Sequence, residues 1–114
     1  MSDRELLELA AKAAELEDYG NERGRGPIYR KHHTGLQDWV RWNPLTDDGD
    51  ALRLAVKLRL EPRFIDNSHS NGIEPSRVTL HNISGIVETV GDDSYAATRR
   101  AIVRAAAEIG RNMT

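Results

Sequence analysis

The chain has 114 residues, 39% hydrophobic and 30% charged, with a formal net charge of -2 and no cysteine. One domain spanning residues 1–114 is long enough to bury roughly two thirds of the surface its unfolded form exposes, a core that needs no staples. Disulfides, thiolate zinc sites and cysteine nucleophiles are excluded, the charge supplies no global field for nucleic acid or an anionic membrane, and no apolar run approaches the ~20 residues of a membrane span.

The start, "MSDRELLELA", is acidic and helical, unlike a secretory leader with its basic start and apolar middle. With the missing cysteines, it leads to an expectation of a cytoplasmic protein. "SDRE" places Ser2 as N-cap and Glu5 at N3, the pattern of a capping box. Leu6, Leu9, Ala10 and Ala13 follow at the spacing of one buried helical stripe. This helix is expected to fade near Asp18, with Gly20 as its C-terminal stop.

Residues 20–35, "GNERGRGPIYRKHHTG", hold four glycines, a proline, four Lys or Arg and one acid, and read as a loop. "LQDWVRW" alternates loosely and reads as a strand, with Val40 and Trp42 on one face and Trp39 and Arg41 on the other. Asn43 and Pro44 end it. Thr46 or Asp47 then caps a helix with Asp48 and Asp50 in or beside its first turn, where the helix dipole favours carboxylates. Its apolar stripe is Ala51, Leu54, Ala55 and Leu58, widened by Leu52 and Val56, so this helix is expected to be central and mostly buried. Pro62 limits its extent.

"RFID" and "SRVTLHN" read as two strands joined by the polar, turn-rich 67–75 segment, and "GIVETV" as a third after a turn near 82–85. "GDDS" caps a last helix whose apolar stripe is Ile102, Ala105, Ala106 and Ile109, with Arg100, Arg104, Glu108 and Arg111 outside and Gly110 as its stop. Consecutive short strands favour antiparallel pairing. The expected class is α+β: a small antiparallel sheet of three to four strands packed between helices as a three-layer α/β/α sandwich.

Three blocks, "DRELLELAAKAA", "WNPLTDDGDALRLAVKL" and "ATRRAIVRAAAEIG", together resemble the phage ABA sandwich domain group, small proteins of bacteriophages and prophages. The specificity of the resemblance lies chiefly in "WNPLTDDGDAL". It implies an antiparallel sheet between helical layers and a phage or prophage origin, hence the cytoplasm of a bacterial host. It carries no activity and no catalytic residues.

"DDGD" raises the question of a metal loop. An EF-hand spaces its oxygens over about twelve residues and ends on a glutamate, whereas here the acids stop at Asp50 and an apolar stripe begins. Capping explains them better. An acid–base pair needs two unequal environments, and neighbours on one helix turn share one. Adjacent His32 and His33 diverge on an extended segment; with His69 and His81 they read as solvated rather than as metal ligands. "NISG" is a turn rather than a nucleophile elbow. No cofactor, metal site or catalytic residue is therefore expected, and an enzyme of unknown chemistry stands only as a third alternative behind two binding readings.

Two binding readings remain. The leading one is an accessory protein that binds a host or phage protein, or a second copy of itself, with Trp39 and Arg41 as candidate interface residues on the strand face away from the core. The alternative is association with nucleic acid through the basic 23–33 segment, with Arg23, Arg25, Arg30 and Lys31 on phosphates and Tyr29 stacking on a base.

Overall fold

The computed structural model describes residues 2–16, 28–31, 39–66, 76–83 and 85–113, with 28–31 and 39 followed by their backbone. Helix α1 spans Asp3–Ala13, strands β1 and β2 span Ile28–Lys31 and Trp39–Trp42, and helix α2 spans Asp48–Leu58. Strands β3 (Pro62–Ile65), β4 (Arg77–Leu80) and β5 (Val87–Thr89) follow, and helix α3 (Ser94–Arg111) closes the order. The class is α+β.

The Ser2 hydroxyl accepts the Glu5 backbone N–H at 3.2 Å and starts α1. The helix ends earlier than its sequence suggests. Glu15 adopts a left-handed φ of 57°, its N–H reaches the Lys12 carbonyl, and the Leu16 N–H returns to the Ala11 carbonyl. That paired closure is a Schellman motif; it stops α1 at Ala13 before Gly20 is reached. Helix α2 ends the same way. Arg59 is left-handed, and the Arg59 and Leu60 N–H groups reach the Val56 and Ala55 carbonyls. In both motifs the leucine after the left-handed residue packs inward: Leu60 is core and Leu16 lies against it.

Two expectations about strands are corrected. Residues 28–31 lie within the expected loop yet form β1, which pairs antiparallel with β2 from Ile28 opposite Trp42 to Lys31 opposite Trp39. Upstream glycines and Pro27 punctuate the chain, but "IY" has strand propensity and finds a partner. Strand β2 also does not join the main sheet. It belongs to a separate two-stranded ribbon, and the main sheet is β3-β4-β5. That sheet is antiparallel throughout, with Phe64 opposite Val78 and Val78 opposite Glu88. Gly85, at φ 86°, makes the turn between β4 and β5.

The central helix is α3, not α2. It packs against α1, α2 and all three strands of the main sheet. Its buried residues include Ala97, Ala101, Ala105, Ala106 and Ala107 beside Ile102 and Val103. Small side chains on several faces let neighbours approach from several directions, which a helix with bulky apolar faces does not permit. Gly110 lies inside α3 rather than ending it, and Asn112 is the cap. Val78 and Leu80 are buried on the sheet face that meets α3. On the opposite face Arg63, Val87 and Thr89 are exposed, and no helix covers them among the described residues.

Candidate functional site

The acidic block is built into the fold residue by residue. The Asp47 carboxylate accepts the Asp50 N–H at 2.8 Å and is the N-cap of α2. Asp50 is 3% exposed. One of its oxygens accepts the Asn43 N–H at 2.9 Å, and the other accepts Arg53 Nη2 at 2.7 Å. Asp48 meets Arg99 of α3 at 2.7 Å, and the same guanidinium donates to the Leu45 carbonyl at 2.8 Å. Arg99 thereby fastens the β2–α2 turn to the central helix. Pro44 is fully buried in that turn.

A second charged cluster sits at the edge of the main sheet. Glu88 of β5 pairs with Arg104, which also donates to the Val87 carbonyl. Arg100 donates to Asp3 at 3.0 Å and approaches Glu88 at 3.8 Å. These arginines, expected on the wet side of α3, join α3 to β5 and to the start of α1. Among the described residues no group of three or more His, Asp or Glu is gathered to hold a metal, and no helix is long and apolar enough to cross a membrane.

The prominent concavity lies elsewhere. A groove of ≈ 620 Å³ runs between α2, α3 and the start of β3. Ala51 and Ala55 of α2, Leu60 and Ile102 of α3 are its buried floor. Its walls are Leu52 and Val56 on one side, Tyr95 and Phe64 on the others, and these four are 64–70% exposed. Asp48, Arg59, Glu61 and Arg99 add charge at its margin. Of the five large hydrophobic residues exposed among the described ones, four converge here; the fifth is Val87.

Sequence periodicity placed Leu52 and Val56 in the core, widening the α2 stripe. The structure corrects this. At about 100° per residue they stand one step round the helix from Ala51 and Ala55, and that step separates floor from wall. Phe64 and Tyr95 carried no signal, because a lone aromatic on a short strand or in a first helical turn has no period to betray its side.

The residues singled out in the sequence fare differently. Trp42 is 4% exposed and belongs to the core. Arg41 is exposed, half-way along β2 opposite Tyr29. Trp39 pairs with Lys31 and Val40 with Arg30 in the ribbon register, so the positions Tyr29, Lys31, Trp39 and Arg41 alternate to one side of it. Arg23, Arg25, His32, His33 and His69 lie outside the described residues. His81 is exposed. No family model, no curated protein and no solved structure matches the chain.

Proposed function

We propose that this protein is a non-enzymatic binding module that docks a protein partner in the α2–α3–β3 groove. The observation that carries the reading is the convergence of Leu52, Val56, Phe64 and Tyr95, all largely exposed, on one concave surface. Soluble monomers rarely leave large apolar groups contiguous on their surface unless something covers them. Aromatic side chains on a charged margin match the anatomy of a protein interface. The non-enzymatic part rests on how the acids are used. Asp47 caps a helix, Asp48 and Asp50 fasten a turn, and Glu88 joins a strand to α3.

The "WNPLTDDGDAL" block supports a phage or prophage accessory protein of the ABA sandwich group, at work in the cytoplasm of a bacterial host. The partner is then a host or phage protein, or a second copy of the chain. Affinity capture from a bacterial lysate, with wild type beside Leu52→Glu, tests the docking claim. Partners that bind wild type and are lost with the variant support it, and equal capture by both refutes it.

A second reading has one observation in its favour. Residues 28–31 are held in a ribbon, so the positions Arg30 and Lys31 lie across from Val40 and Trp39 with Arg41 close by. A two-stranded antiparallel ribbon is of a size that the DNA major groove admits. Neutralising Arg23, Arg25, Arg30 and Lys31 together should then lower both affinity and its salt dependence. Absence of retention of DNA or RNA by wild type at low salt would dispose of this reading.

A further inference from the structure

The exposed row of α2 carries opposite charges at its two ends. Asp48 opens it, Leu52 and Val56 form its middle, and Arg59 closes it. Asp48, Leu52 and Val56 are spaced i, i+4 and i+8 along one side of α2, and Arg59, the left-handed residue that follows the helix, lines the same groove. The Asp48 side chain is 68% exposed beside its contact with Arg99, and Arg59 is exposed. The midpoint between Leu52 and Val56 is Leu54, and the midpoint between Asp48 and Arg59 lies within half a residue of it. The row is therefore self-complementary when turned end for end. A twofold axis across the helix near Leu54 brings Leu52 beside the partner's Val56, and Asp48 beside the partner's Arg59, at both ends at once.

We propose that the groove is occupied by a second copy of this chain, with the two α2 helices antiparallel about that axis. The proposal rests on the reading of the groove as a docking surface, and names its occupant. A twofold contact must use one patch twice, so it requires a surface complementary to itself, and this row has that property in both charge and apolarity. The floor alanines beside the row, Ala51 and Ala55, leave room for the opposing Leu52 and Val56 to enter. Antiparallel helices also bring the positive end of each dipole to the negative end of the other.

Sedimentation analysis over a range of concentrations tests the arrangement with wild type, Arg59→Glu, Asp48→Lys and an equimolar mixture of the two variants. Asp48→Lys also loses the Arg99 contact, so its fold is checked by circular dichroism. The wild type should dimerise. Each variant alone should associate about tenfold or more weakly, because like charges then meet at both ends. The mixture should recover a heterodimer, because one chain's native Asp48 meets the other's native Arg59, and the introduced glutamate meets the introduced lysine. Leu52→Glu, at a position 64% exposed, should be monomeric, which keeps the test independent of the Asp48 variant. A dimer indifferent to these changes, or a mixture that stays monomeric, overturns the antiparallel pairing. A wild type that is monomeric throughout overturns self-occupancy. The docking reading itself would survive that last result only if a captured partner were lost with Leu52→Glu.

Discussion

A Cβ placed on Gly110 would fall 2.0 Å from the carbonyl oxygen of Leu9. Helices α1 and α3 thus touch backbone to backbone at this point, and the atom in the way cannot swing aside as a side chain would. Gly110→Ala should therefore be strongly destabilising even though alanine is the better helix former. Overpacking of this kind costs ~1–3 kcal/mol or more, and urea unfolding measures it. A variant as stable as wild type would mean that the helices part without cost.

Trp42 closes the core between the end of α1 and the middle of α2, near Ala14, Leu16 and Leu54. It is 4% exposed, and among the described side chains of the separate ribbon it is the one that enters the core. Trp42→Ala should cost ~3–5 kcal/mol by the loss of a buried ring and the cavity left behind. A thermal midpoint that barely moves would refute the anchoring.

The roles within the acidic block differ in size. Asp47→Ala removes a cap and should cost ~0.5–2 kcal/mol, while Thr46→Ala loses one long contact of 3.4 Å and should cost less. Asp50→Ala leaves the Asn43 N–H without its acceptor in a partly buried turn, a loss of about 1–3 kcal/mol. Millimolar calcium or magnesium should leave the melting temperature of wild type unchanged. A cation that binds the folded state raises it by mass action, so a rise would restore the metal reading.

Glu15 is exposed and left-handed, at φ 57°. Among the described residues its side chain makes no contact that would offset the strain of that conformation. Glu15→Gly should leave α1 intact and raise stability by up to ~1 kcal/mol, the relief of strain exceeding the added freedom of the unfolded chain. A decrease in chemical denaturation would show that Glu15 has a compensating role.

What was legible in the sequence follows from how local each signal is. The cap at Ser2, the start of α2 and all three strands of the main sheet are written in neighbouring residues, and they stand where the sequence puts them. The end of α1 was missed because a Schellman closure on a non-glycine residue such as Glu15 has no composition to mark it. The exchange of roles between α2 and α3 was missed for a different reason. Periodicity reports which face of a helix is apolar, not how many neighbours crowd it; the alanines of α3 are small because three kinds of neighbour approach, and that is a tertiary fact. The groove is hidden from the sequence by the same limit. Leu52 and Val56 looked like core because apolar residues beside an apolar stripe ordinarily are. Only the positions of Phe64 and Tyr95, brought in from β3 and α3, turn that flank of α2 into a wall open to solvent.

The claim that this groove exists to be covered by a protein is tested most directly by Val56→Glu, with stability and association measured on the same preparation. Val56 is 69% exposed. The variant should show an unfolding free energy, measured at high dilution, within ~0.5 kcal/mol of wild type, as for an ordinary surface substitution, together with loss of association. Wild-type association in the variant, or a loss of about 2 kcal/mol or more in the dilute monomer, would contradict it. The first would leave the groove without a docking role; the second would make Val56 part of the protein's own packing.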